Sequence, residues 1–178
     1  MPAATDARIP AYADALFEVA RAEGSLRDVE EELFRFAQSL ETSDELREAL
    51  TDQHIPASRR QQIVEDLLGG HALPVTVAMV SMVVGAGRAK DLPAIVRQLV
   101  ERTAAEANKE VAEVRSAVDL TADQRARLAQ ALNAATGKQV EVKVIVDPSV
   151  LGGIVAQVGD TVIDGSVRSR LEQLKHAF

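Results

Sequence analysis

Cysteine is absent from this 178-residue chain. That excludes disulfides, thiolate metal sites and cysteine nucleophiles, and it fits a reducing compartment. Aromatic residues make up only 3%, so a core must be assembled from Ala, Val and Leu, by packing helix on helix or helix on a small sheet. No run approaches the ~18 apolar residues of a membrane span. Basic charge is the scarcer sign, with a formal net charge of -7. The imbalance lies in residues 1–105, with 17 acidic and 11 basic side chains, against 10 and 9 in residues 106–178. An acidic surface repels phosphate backbones and anionic lipid headgroups, which disfavours nucleic acid and direct membrane insertion. Asp6 stands just before a helical pattern, so no signal or transit peptide is expected, and the chain reads as a soluble cytoplasmic protein.

What is present is apolar periodicity, carried by a 47% hydrophobic content. Ile9, Tyr12, Ala13, Leu16, Phe17 and Ala20 form one face of a first helix expected over 6–23, and Ala11, Ala15, Val19 and Ala22 form a second apolar line beside it. Ser25 is placed to cap a second helix with Leu26, Val29, Leu33, Phe36 and Leu40 inward. Glu30, Glu31 and Glu32 near its start suit the positive end of the helix dipole. A short helix over 44–51 and another over 57–68, opened by Pro56 and closed by Gly69-Gly70, follow. Val75 to Val84 is apolar nearly all round and reads as a central buried helix, although its β-branched content also suits a strand. A sixth helix is expected over 91–109, giving a six-helix bundle.

Near residue 111 the apolar period falls from 3.6 to 2. Ala112, Val114, Ser116, Val118 and Leu120 alternate with polar positions. Thr121-Ala122-Asp123-Gln124 is a capping-box sequence, and Leu128, Ala131, Leu132 and Ala135 are the stripe of the helix it opens. Strands are expected over 140–146, 154–158 and 161–164, the last two joined at Gly159-Asp160. Ser166 begins a final helix with Val167, Leu171, Leu174 and Phe178 on one face. The chain is therefore expected to be α+β: a helical bundle over 1–108, then a small β-α-β-β-β-α domain over 109–178.

Motifs for catalysis are missing. The pair Gly137-Lys138 lacks the leading glycine of a nucleotide loop, Leu132 standing in its place, and Gly85-Ala86-Gly87 is followed by Lys90 where a dinucleotide fingerprint needs glycine. His54, His71 and His176 have no metal-site spacing. Asp147, Asp160 and Asp164 flank Pro or Gly in turns, where aspartates bond local amides. No catalytic, cofactor or metal residue is assigned. A small acid/base catalyst using Asp147 and Asp164 is the enzymatic alternative, and a generic helical adaptor the other. The sequence instead carries apolar surface in excess of one core. Ala11, Tyr12, Ala15 and Val19 of the first helix, with Val75, Met79 and Met82 after Pro74, are candidates for a groove that takes a partner helix.

Residues 144–174, V-I-V-D-P-S-V-L-G-G-I-V-A-Q-V-G-D-T-V-I-D-G-S-V-R-S-R-L-E-Q-L, closely resemble the signature of the ATP synthase delta family, whose mitochondrial relative is the oligomycin sensitivity-conferring protein. The matching positions are Asp147, Pro148, Leu151, Gly152, Gly153, Gly159, Asp160, Asp164, Gly165, Ser166, Val167 and Leu171. Tyr12 to Phe17 is similar to the family's opening helix, and Ser116-Ala117 to its first C-terminal strand. Gln157 departs from the basic residue more usual there. The resemblance implies a non-catalytic stator connector without cofactors, peripheral at the cytoplasmic face of a bacterial plasma membrane and present once per complex. It implies that the bundle grips the N-terminal helices of the alpha subunits and that the C-terminal domain holds the b-subunit stalk, coupling proton-driven rotation to ATP synthesis. The signature's glycines and aspartates themselves read as devices that shape turns.

Overall fold

The computed structural model describes residues 8–165. The chain divides into two compact units between Thr103 and Ala104. In the first, α1 (Arg8–Ala22) buries Ala13, Leu16, Phe17 and Ala20, one stripe at helical spacing. It ends in a Schellman motif: Gly24 takes φ 68, its N–H reaches Arg21 O at 3.0 Å, and the Ser25 N–H reaches Ala20 O at 3.1 Å. The expected role of Ser25 is met in part. Ser25 does stand at the N-cap of α2 (Leu26–Thr42), its carbonyl accepting from the Val29 N–H at 3.0 Å, but with φ −120 and ψ 25 its side chain makes no cap bond. Its hydroxyl has no hydrogen-bond partner among the described residues.

The acidic run of α2 also serves a purpose other than the one expected. Since α2 starts at Leu26, Asp28 is the acidic residue of its first turn, and Glu30 to Glu32 lie beyond it. Glu32 instead reaches the start of α5 (Pro74–Gly85). The Leu73 N–H donates to its two carboxylate oxygens at 3.2 and 3.0 Å, and the Thr76 hydroxyl donates at 2.5 Å. A carboxylate of one helix thus caps another. Between them lie α3 (Asp44–Thr51), capped by Ser43 through the Leu46 N–H at 3.2 Å, and α4 (Ala57–Leu68).

Helix α5 packs chiefly on α4 and also on α2. It buries Thr76, Met79, Val80, Val83 and Val84, while Pro74, Ala78, Met82 and Ala86 lie exposed. The expectation of a helix buried on all sides is therefore corrected: uniform apolarity conceals one solvent-facing lane. A 3-10 turn at Ala89–Asp91, clipped by an Arg88–Asp91 ion pair at 2.9 Å, leads into α6 (Leu92–Glu106). Buried Leu92, Ile95, Val96 and Leu99 tie α6 to the core of this unit. Asn108, at φ 54, closes α6 as glycine does elsewhere, with Asn108 N–H to Ala105 O at 3.0 Å and Lys109 N–H to Ala104 O at 2.8 Å.

The second unit is a four-stranded mixed sheet in the order β2-β1-β3-β4. Strand β1 (Glu110–Ser116) pairs parallel with β2 (Val140–Val146) and antiparallel with β3 (Ile154–Val158), which pairs antiparallel with β4 (Thr161–Asp164). Helix α7 (Ala122–Thr136) connects the parallel pair. Its capping box is present: Thr121 Oγ1 accepts from the Gln124 N–H at 3.2 Å, and Gln124 Oε1 from the Thr121 N–H at 2.9 Å. Ala112, Val114, Leu132, Val140, Ala156 and Val158 form the core, with Leu120, Leu128, Val142 and Ile154 packed around it. Ala131 and Ala135, expected on the α7 stripe, are exposed. The fold is α+β. The final helix expected from Ser166 lies outside the described residues.

Candidate partner-binding surface

The seven residues expected to form a groove fall on the two sides of their helices. On α1, Ala11 and Ala15 are exposed, Val19 is 46% exposed, and Tyr12 is half-buried. Ala22, also exposed, continues this lane by one turn. On α5, Met82 is 47% exposed and Val75 half-buried, but Met79 is 5% exposed and belongs to the core. Met79 is therefore support for α5 rather than a surface that adapts to a partner. Helices α1 and α5 both pack on α2, which holds the two apolar lanes in one unit. Ala78 and Ala86 were missed by sequence reasoning, although their spacing from Pro74 and Met82 marks a single helical row.

Beside the α1 lane runs a charged seam. Arg102 of α6 pairs with Asp14 and, at 3.1 Å, with Glu18 of α1, and its guanidinium lies 4.5 Å from the Phe17 ring centroid. Arg21 reinforces Glu18 at 2.9 Å. The exposed lane is thus presented by a helix pinned on its polar side.

Most of the described signature residues build turns, whereas Asp164, expected in a turn, ends β4 paired with Val155. The Asp147 N–H donates to Ser116 O at 2.8 Å, extending the β1–β2 pairing, and its carbonyl accepts from Val150 at 3.1 Å. Its carboxylate accepts from the Ser149 hydroxyl at 2.6 Å and the Ser149 N–H at 2.9 Å. These hydrogen bonds, with Arg115 at 3.8 Å, hold its pKa below the usual carboxylate value. An acid catalyst near neutrality needs the opposite shift, so this environment does not suit the acid/base alternative. Pro148 is exposed within the same turn. Gly152 and Gly153 adopt φ 119 and 77 on the way into β3, and Gly159 adopts φ 55 in the two-residue turn with Asp160. Gly165 donates to Ile154 O at 2.9 Å, closing the ladder beyond Asp164. Ser166 lies outside the described residues. No cluster of three metal-ligating side chains and no helix able to cross a membrane occurs among the described residues.

A family model described as the ATP synthase delta (OSCP) subunit matches residues 10–178. The chain belongs to that family. Among its relatives, the ATP synthase subunit delta of Nocardia farcinica is 42% identical over 162 residues, covering 91% of this chain and 60% of the relative. That of Streptomyces griseus is 42% identical over 150 residues, covering 84% and 55%. The chain thus spans less than two thirds of the length of these delta subunits. A chain in the cryo-EM structure of the Toxoplasma gondii mitochondrial ATP synthase hexamer shares the fold, with a TM-score of 0.60 at 20% identity, covering 95% of this chain and 96% of that one. Within the OSCP family's matched span, the turns of Asp147 to Gly165 and the lanes on α1 and α5 all fall.

Proposed function

We propose that this delta-family chain is a non-catalytic stator connector of an F-type, proton-translocating ATP synthase. Residues 1–108, as a six-helix bundle, grip N-terminal helices of the alpha subunits at the top of the catalytic head. Residues 109–178, as a β-α-β-β-β-α domain, hold the b-subunit peripheral stalk. One copy per complex, peripheral at the cytoplasmic face of the bacterial plasma membrane, keeps the head from turning with the rotor, so torque reaches ATP synthesis.

The observation that carries this reading is the exposed lane of Ala11, Ala15 and Val19 on a helix whose opposite face is fully packed. Alanine lets a second helix approach closely, and exposed Val19 of α1 and Met82 of α5 add apolar surface. An amphipathic helix laid there would form an extensive dry interface, from which dissociation is slow.

The test is titration of the full chain with a peptide from the alpha subunit's N-terminus, read by peptide helicity and by calorimetry. Helix formation and saturable binding are expected, with an affinity loss of about tenfold or more in Ala15→Trp. Ala15 is exposed, so that variant keeps its fold. Absence of saturable binding at micromolar concentrations would remove the groove. Deleting residues 109–178 should release the stalk yet leave ATP hydrolysis by the isolated head running; loss of that hydrolysis would contradict a non-catalytic role.

A further inference from the structure

Within the acidic first unit, three cations share the lining of one cavity. Where the end of α2, the start of α3 and the first turns of α6 meet, Arg47, Lys90 and Arg97 line an open cavity of about 280 Å³. Its floor is aliphatic, made by Leu40, Pro93 and Ala94, and Glu41 is the carboxylate in its lining. Three of the 11 basic residues within 1–105 therefore converge in a region that carries 17 acidic ones. Arg47 is held in position: its guanidinium donates to Glu41 O at 3.0 Å and pairs with Asp44. Lys90 and Arg97 are exposed, and the positive end of the α6 dipole adds to their field.

We propose that this cavity docks an acidic amphipathic peptide segment of a protein partner, separately from the lanes on α1 and α5. An aliphatic side chain of that segment sits on Leu40 and Pro93, while its carboxylates meet Lys90 and Arg97. Guanidinium forks match carboxylates bidentately. An apolar floor rewards a ligand that brings hydrocarbon along with its charge. No glycine lines the cavity, so it lacks the amide cradle with which loops hold bare phosphate. None of the groove residues takes part, so the proposal stands whether or not the α1 lane binds a helix.

The experiment titrates the isotope-labelled full chain with three probes. They are a short blocked peptide alternating pairs of Leu and Glu, the same peptide with Gln for each Glu, and inorganic phosphate. Backbone amide shifts are expected at Leu40, Lys90 and Ala94 with the Glu peptide, with binding about tenfold weaker for the Gln peptide and falling as salt rises. Lys90→Glu and Arg97→Glu should each weaken it by about tenfold or more. Lys90→Gln should weaken it less, and it supplies the same reading if a charge reversal disturbs folding. Equal binding of the two peptides, shifts confined to α1 and α5, or affinity unchanged in the variants would overturn the proposal. Phosphate binding as tight as the Glu peptide would also overturn it, in favour of a small-anion site.

Discussion

At the scale of single residues, three side chains carry testable weight. Asp147 has its pKa lowered by the Ser149 hydroxyl, then the Ser149 N–H, with Arg115 adding to the effect. A depressed folded-state pKa means that the stabilisation is complete above the unfolded carboxylate's pKa and is lost as pH falls through the folded value. The stability difference between the wild type and Asp147→Asn should therefore shrink on acidification from neutrality to below about pH 4, as followed by urea unfolding at a series of pH values. Arg102 joins two ion pairs and a cation–π contact over Phe17. All its charged partners are well exposed, so Arg102→Ala should cost about 1 kcal/mol. Molar salt should erase the ion-pair share and leave the stacking share. Asn108 holds φ 54 without being glycine. Asparagine visits this region more readily than other side chains, so Asn108→Ala should lower stability by about 1 kcal/mol and Asn108→Gly should not.

At the scale of elements, Glu32 and α5 form a unit that local sequence could not announce. The carboxylate and the Leu73 N–H it accepts from stand 41 positions apart, and nothing in a helical window signals such a partner. Glu32→Ala should cost about 1 kcal/mol, as loss of a cap does, and should speed amide exchange at the first turn of α5 before other helices. Most helix boundaries, by contrast, were legible, because spacing such as Leu16, Phe17 and Ala20 is a local signal, as are the Thr121 box and Gly24; α6, expected to reach 109, stops at Glu106 because Asn108 turns left-handed. The exposed side of α5 was not, since Val, Ala and Met on every face leave no polar contrast to read. At Ser25 the N-cap position was legible but the hydroxyl's bond was not: its N–H closes α1 and its carbonyl opens α2, and the side chain makes no cap bond. For the candidate surface, the small residues of α1 were visible in sequence, but that Met79 turns inward while Met82 turns out depends on where α4 and α2 pack.

For the whole molecule, charge is the property that governs behaviour in solution. A net charge of -7 with a pI near 5.0 predicts least solubility close to pH 5 and good solubility at neutrality, measurable as light scattering across a pH series. The cavity lined by Arg47, Lys90 and Arg97 runs against that field, and the docking proposed for it therefore calls for an acidic segment.

The placement of β1 inside its sheet has a consequence for synthesis on the ribosome. Helices α1 to α6 are all in the emerging chain before β1 begins, so the first unit's core can close early. Strand β1 cannot complete its pairing then: Val114 must wait for Val144 on one side and Ala156 on the other. Until Ile154 has left the exit tunnel, one edge of the central strand stays open to strands of other nascent chains. Translation pauses before Ile154 are therefore the points at which this protein is most exposed to aggregation, and where a chaperone would be most useful to it.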